Sequence, residues 1–344
     1  MIGLGIAFAV AVAAITAGAV EGVRRWALRQ SVLDVPNSRS SHTVPTPRGG
    51  GLAIVAVTAA GAAVALALGV RGALPGLLAS AAVVAVVSAA DDLRPLRPRT
   101  RFAAQSLAAA LALAAFGPWT ALSVPFVGTV SVGMIVGGAL SVVWVVGLTN
   151  AFNFMDGIDG IAGAQAVVAG AAWTGVGLVA GLPSLVLVGA LVATSAVGFL
   201  VHNWSPARIF MGDVGSATLG FVFAALGLAA ADLASGVLQP RIQLGSLLFV
   251  WPFVFDAVLT FGRRLRAGED VFAAHRSHLY QRMVIAGWTH RRVATVYAAL
   301  ALVSASGGAA WVVSGNGWAA VAGLAIPVAV ALTTTQVAER QSRP

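Results

Sequence analysis

Two segments hold residues whose types and spacing suit phosphate chemistry. The first reads Asn150-Ala-Phe-Asn153-Phe-Met-Asp156-Gly-Ile-Asp159-Gly160, and the second runs from Asn203 through Pro206-Ala-Arg208-Ile-Phe-Met-Gly212-Asp213-Val-Gly215-Ser216. A chain with only 12 acidic residues places Asp156, Asp159 and Asp213 here, among amides, glycines and an arginine. Asn153, Asp156 and Asp159 recur every third residue, so on a helix they share roughly one face. The glycines after both aspartates let backbone approach a ligand. Ligands that offer only oxygen suit a hard cation such as Mg²⁺, which takes one or two carboxylates and fills its other positions with phosphate and water. The plainer reading is a solvated turn with polar caps.

Asp213 stands where a new apolar run begins, beside Gly212, Gly215 and Ser216. Backbone amides at a helix amino terminus favour anions. Asp213 is therefore a candidate metal ligand facing a bound diphosphate, or an ordinary helix cap. A third group, Asp91-Asp92, closes an earlier apolar run and is followed by Arg94, Arg97, Arg99 and Arg101. Two carboxylates at a helix carboxyl terminus oppose the macrodipole. They need compensation, either from the arginines or from a cation or phosphate. The last polar loop carries His275, Arg276 and His278, suited to gripping phosphates or to attraction by anionic headgroups. Zinc is disfavoured because no third nitrogen or sulfur ligand accompanies the two histidines. Asp256 lies inside an apolar run, where ionisable residues usually face a site or partner; Arg263 is too distant for a direct pair.

The elements that position these groups must be membrane helices. The chain is 58% hydrophobic and 10% charged with a mean hydropathy of +0.89, against about a quarter charged in soluble domains. Apolar runs near the roughly 20 residues that cross a bilayer occupy about 3–23, 51–70, 73–92, 103–118, 131–149, 161–180, 183–201, 216–231, 244–262, 293–313 and 318–337. These predict an all-α, polytopic bundle of about eleven spans, forming one domain over residues 1–344. The absence of period-two alternation argues against a barrel, and the absence of cysteine excludes disulfides. Arg24 and Arg25 follow the first run, so it reads as an uncleaved span rather than a signal peptide.

Every motif falls in the long polar loops, which alternate with short ones and so share one membrane face. All the arginines except Arg71 and Arg241 lie on that face. The positive-inside rule makes it cytoplasmic, with the amino terminus outside and the carboxyl terminus inside. The same rule accounts for the +9 charge without nucleic-acid binding. Asp34, Asn37, Arg39, His42, Pro47 and Arg48 make the first such loop polar and ordered.

Together the motifs resemble the polyprenyl-phosphate N-acetylhexosamine-1-phosphate transferase family: Asp91-Asp92 with Arg101-Phe102 and Gln105, then the Asn150–Gly160 and Pro206–Ser216 segments, and His275-Arg-Ser-His278. The resemblance runs from about Asp34 to Gln281 in the family's own order. It implies transfer of a sugar-1-phosphate from a UDP-linked N-acetylhexosamine to undecaprenyl phosphate in the plasma membrane, with release of UMP and a need for Mg²⁺, Mn²⁺ being the substitute ion. By motif position, Asn153 and Asp213 would hold the metal, Asp159 would contact uracil, and His275, Arg276 and His278 the diphosphate. Asp91 and Asp92 would position or activate the lipid phosphate, supported by Arg101 and Asp156, with Asn150 and Arg208 among the substrate-binding residues. Membrane lipid and a second copy of the chain, as a homodimer, complete the expected partners.

The segment His275-Arg-Ser-His-Leu-Tyr280 lacks the consecutive histidines of the branch that transfers phospho-N-acetylmuramoyl-pentapeptide. The chain is similar instead to the branch that primes O-antigen of lipopolysaccharide, teichoic acid and related envelope glycans. GlcNAc is the first expected sugar, with FucNAc and QuiNAc next. The muramoyl-pentapeptide reaction is one alternative and a membrane transporter the other, although a transporter would place its acids near the midplane and show related halves.

Overall fold

A computed structural model describes residues 2–36, 44–270 and 275–342. Asn37, Arg39 and His42 of the first polar loop, and Arg343, lie outside the described residues. The chain is a polytopic helical membrane protein. Its helices are α1 (Ile2–Arg29), α2 (Gly51–Ala67), α3 (Leu74–Leu93), α4 (Pro98–Phe116), α5 (Gly133–Phe154), α6 (Ile161–Ala180), α7 (Pro183–Asn203), α8 (Asp213–Leu233), α9 (Ile242–Phe249), α10 (Trp251–Arg266), α11 (Leu279–Ile285), α12 (His290–Ser314) and α13 (Gly317–Gln341). Among the described residues, eight of these are individually long and apolar enough to cross a membrane. Two short antiparallel hairpins add to the expected all-helical fold: β1 (Leu33–Asp34) with β2 (Thr46–Pro47), and β3 (Ala121–Val124) with β4 (Gly128–Ser131).

Helix α8 is the axis of the bundle. Every residue from Val214 to Ala231 is buried, as expected of a helix apolar on all sides, and α2, α3, α4, α5 and α9 pack around it. The outer helices turn side chains such as Leu4, Ile6, Ile135 and Trp318 outward, an exposure that lipid covers. Prolines punctuate the chain: Pro98 opens α4 and Pro183 opens α7, where a missing N–H costs nothing.

The ninth expected span, 244–262, is not one straight helix. α9 and α10 meet at 71°, because Pro252 in the first turn of α10 has no N–H to continue α9 and its ring would clash with the preceding turn. Beyond the bend, α10 packs against α5.

The amino-terminal ends of α2 and α8 meet backbone to backbone. Gly50 and Gly51 donate to the carbonyls of Phe210 and Met211 at 2.9 and 2.8 Å, and Phe210 donates to Pro47 at 2.8 Å. A Cβ on Gly51 would lie 2.3 Å from the Gly215 Cα, so any larger residue must push α2 away from α8. Gly51→Ala is expected to lower stability by about 1–3 kcal/mol, read as a lower melting temperature in detergent. An unchanged midpoint would mean that the two helices do not meet there.

Candidate active site

Asp91 and Asp92 end α3, and both are buried. Their own helix terminus disfavours them, but α3 delivers them against the amino terminus of α8. Asp92 accepts from the Asp213 and Val214 amides at 2.9 and 3.0 Å, so it caps α8 from a distant part of the chain and meets the positive end of that dipole. Arg48 in turn donates to the Asp92 backbone carbonyl. Gly212 permits this approach with φ +76°, and a Cβ there would sit 2.7 Å from Asp92 Oδ2. The macrodipole conflict visible in the sequence is thus resolved by a second helix, not by the neighbouring arginines alone.

Asp91 takes a different partner. It accepts from the Leu96 amide at 2.5 Å and from Arg101 Nη1 at 3.1 Å, and the same Nη1 reaches Asp213 Oδ2 at 3.3 Å. Asn153, in the last turn of α5, donates from Nδ2 to Asp213 Oδ1 at 2.9 Å and to Ser216 Oγ at 2.8 Å. Asn150, one turn earlier, exchanges hydrogen bonds with Gln105 of α4 at 2.7 and 3.3 Å. Four helices, α3, α4, α5 and α8, thereby bring Asp91, Arg101, Asn150, Asn153 and Asp213 to one place. Asp213 begins its helix, yet its side chain faces Arg101 and Asn153 while Asp92 serves as the cap.

The segment after α5 leaves Asp156 and Asp159 in contrasting settings. Asp156 is half-buried; its amide donates to the Asn153 carbonyl at 3.2 Å, while its carboxyl makes no hydrogen bond with the described residues. Desolvation, then repulsion from Asp213, Asp92 and Asp159, pushes its carboxyl well above the usual range. Asp159 is buried and accepts from the Ala207 amide at 3.1 Å, with His290 Nδ1 3.3 Å away. Burial pushes the Asp159 carboxyl up, but His290, the Ala207 amide and the Ser205 side chain outweigh it and leave the group below the usual range. His290 escaped sequence reasoning. It is a single histidine at the start of α12, and no spacing links it to a motif. Asn203 ties the two loops together, accepting from the Gly160 amide and donating to the Ile209 carbonyl, both at 2.9 Å. Arg208 stands apart: it is exposed, and its guanidinium donates to the Val201 carbonyl at 3.0 Å.

His275 and His278 approach this cluster from the last loop, with ring centroids 5.1 Å apart. Burial, followed by repulsion from His278 and Arg264, lowers the His275 imidazole to about 4. At neutral pH it is uncharged and meets an anion only as a hydrogen-bond donor. Arg276 is half-buried, and its buried Nε has no hydrogen-bond partner among the described residues. Arg264 is buried and paired with Glu269 at 2.8 Å; it therefore orders the loop instead of lying free at the lipid surface. Asp256 pairs with His278 rather than with any arginine, at 3.2 Å.

These groups line a cavity of about 470 Å³, with Arg101, Asn150, Asn153, Asp213, His275 and His278 on its wall. A second, largely apolar cavity of about 430 Å³ runs between α5 and α10 and shares Asn150, Phe154, His275 and His278 with the first. The polar groups on the wall of the first cavity thus lie beside the second, apolar one.

Residues 74–231, which carry α3 to α8 and most of this wall, match the family described as Glycosyl transferase family 4. Over a longer stretch, the chain is 33% identical across 311 residues to the decaprenyl-phosphate N-acetylglucosaminephosphotransferase of Mycobacterium tuberculosis, covering 83% of this chain and 76% of that one. The chain belongs to the polyprenyl-phosphate N-acetylhexosamine-1-phosphate transferase family. The Mycobacterium leprae relative of the same name is 33% identical over 292 residues, 77% of this chain and 73% of its own. The phospho-N-acetylmuramoyl-pentapeptide-transferase of Latilactobacillus sakei is 37% identical over 136 residues, only 39% of this chain and 42% of its own. Membership of this family makes the chain a membrane-bound transferase and leaves the transporter reading without support.

Proposed function

We propose that the protein transfers an N-acetylhexosamine-1-phosphate from a UDP-sugar to undecaprenyl phosphate, releasing UMP and priming an envelope glycan, with the whole chain acting as one domain. The observation that carries this reading is the wall common to the two cavities. A diphosphate and a lipid phosphate must meet, and here Asn150, Phe154, His275 and His278 border both the cavity that holds Arg101, Asn153 and Asp213 and the apolar cavity between α5 and α10. The mycobacterial relatives cover 77% and 83% of the chain, against 39% and 54% for the muramoyl-pentapeptide relatives, which favours the glycan-priming branch and GlcNAc as the sugar.

The donor set fits Mg²⁺. Asp213 and the Asn153 amide oxygen are hard ligands. Asp91 and Asp213 share one arginine, Arg101, with the charges of Asp92 and Asp156 close by, a concentration of negative charge that a further cation would offset. Among the described residues no three acids or histidines are grouped to hold an ion alone, which agrees with an ion that draws its other ligands from diphosphate and water. When bound, Mg²⁺ would neutralise the diphosphate and polarise the phosphorus that is attacked.

The side chains then have separate tasks. Arg101, already bridging Asp91 and Asp213, turns to the lipid phosphate and aligns its oxygen with the sugar-bearing phosphorus. Asp156 takes up the proton of that phosphate. His275 and His278 donate to the diphosphate, and Arg276 adds charge as UMP departs. Asp159, fixed by His290 and Ala207, contacts the uracil. Phosphoryl transfer asks for this kind of alignment and charge neutralisation and little covalent chemistry. Purified protein given undecaprenyl phosphate, Mg²⁺ and single UDP-sugars should release UMP with UDP-GlcNAc. Turnover of UDP-MurNAc-pentapeptide alone would overturn the branch, and no turnover of any UDP-sugar would overturn the reaction.

The reading places the site on the cytoplasmic face of the plasma membrane with about eleven spans. Thr100→Cys and Ala267→Cys, both at exposed positions of the motif face, should be protected from an impermeant thiol reagent in intact cells, whereas Ser235→Cys beyond α8 should react. The reverse pattern would invert the topology.

A further inference from the structure

Asp256 is wholly buried in α10, and no role in binding either substrate falls to it. It nonetheless collects five donors. The Leu279 amide at 2.9 Å, Thr260 Oγ1 at 3.1 Å and His278 Nδ1 at 3.2 Å meet Oδ1. Tyr297 Oη at 2.6 Å and the Tyr280 amide at 3.3 Å meet Oδ2. A carboxylate removed from water needs this degree of satisfaction, but Leu279, Tyr280, Thr260 and Tyr297 would supply it without an imidazole. The fifth donor is the informative one. His278 is itself only 4% exposed and yet borders both cavities.

We infer that Asp256 is a positioning residue, which fixes His278 with its Nδ1 proton on the buried carboxylate and so turns Nε2 toward the donor diphosphate. The inference rests on the proposed reaction for its kinetic consequence, but its structural half stands independently. The Gln281 amide also faces the His278 side chain, but an ionised carboxylate can only accept, so the contact with Asp256 requires the proton on Nδ1. Nε2 makes no hydrogen bond with the described residues. With one further proton taken from solvent onto Nε2, His278 donates at both ends, with the buried charge of Asp256 behind it and the phosphate in front. The same carboxylate anchors the amino terminus of α11 through Leu279 and Tyr280. Tyr280 then reaches across to the Phe154 carbonyl at 3.0 Å, at the base of the segment bearing Asp156 and Asp159. One buried acid therefore sets the last loop in register with the metal-proximal segment.

Asp256→Asn removes the acceptor for Nδ1 while keeping the size of the side chain. It is expected to raise the KM for UDP-GlcNAc about tenfold, the loss typical of one charge-assisted contact. In a His278→Ala background the same replacement should change KM less than twofold, because Asp256 acts through that ring. Tyr297→Phe, which removes a donor on the other carboxylate oxygen, should lower the melting temperature and leave KM within twofold. Additive effects of Asp256 and His278, or a KM that simply follows the melting temperature across all three variants, would overturn the inference. A measurement on the unmodified protein decides the case even if Asp256→Asn does not fold or no UDP-sugar is turned over. In ¹⁵N-histidine spectra of the 5 histidines, with His278 assigned by His278→Gln, Nδ1 should carry a proton. An unprotonated Nδ1, as in a histidine that caps α11 by accepting from the Gln281 amide, would also overturn it.

Discussion

Asp213→Asn is expected to reduce transfer by about 10²–10³-fold, the scale at which one preorganised electrostatic contact is lost from a phosphoryl- or acyl-transfer site. The fold should survive. The amino terminus of α8 is capped by Asp92 and not by Asp213 itself, and an asparagine can keep the contact with Asn153. What disappears is negative charge at the point where Arg101, Asn153 and Ser216 converge. A neutral amide holds Mg²⁺ poorly, so the variant should need far more of the ion for whatever activity remains. The measurement is UMP release across a Mg²⁺ titration, with the melting temperature taken in parallel. Wild-type rates at limiting and at saturating Mg²⁺ alike would remove Asp213 from the metal site. A large fall in melting temperature would instead assign it to holding the helix.

Asp156→Asn is expected to cost about 10²-fold in kcat, the lower end for loss of a positioned base, and to change the shape of the pH profile. In the folded protein the Asp156 carboxyl lies well above the usual range because it is desolvated and repelled by Asp213, Asp92 and Asp159. Below that raised value it is protonated and cannot take a proton from the lipid phosphate; above it the group is ionised and competent. Wild-type activity should therefore fall as pH drops, at a pH higher than an ordinary carboxylate would give. Asparagine carries no titrating proton, so the residual activity of the variant should lose that acidic limb or show it at lower pH. The pH dependence of kcat at saturating Mg²⁺ reads this directly. An acidic limb unmoved by the substitution would assign the proton transfer to another group.

What the residue order determines by itself is local. Apolar runs about as long as a bilayer is thick must be helices, since every backbone group needs an internal partner in lipid. Each expected run is helical, with the ninth bent at Pro252, while eight described helices are individually long and apolar enough to span and the short α11 matches no run. The motifs were legible for the same reason: Asn153, Asp156 and Asp159 are close in sequence, and acids are rare in this chain. The division of labour between Asp91 and Asp92 was not legible, because their types are identical and adjacent. Only the packing of α3 against α8 puts one on two backbone amides and the other on Arg101. His290 as the partner of Asp159, and Asp256 as the partner of His278, join residues from separate helices with no shared spacing. Arg208, part of a motif, donates to the Val201 carbonyl near the end of α7. Periodicity and composition act along the chain, within a few residues. Which carboxylate is capped, paired or left free depends on what another helix brings within about 3 Å, and that is settled by packing alone.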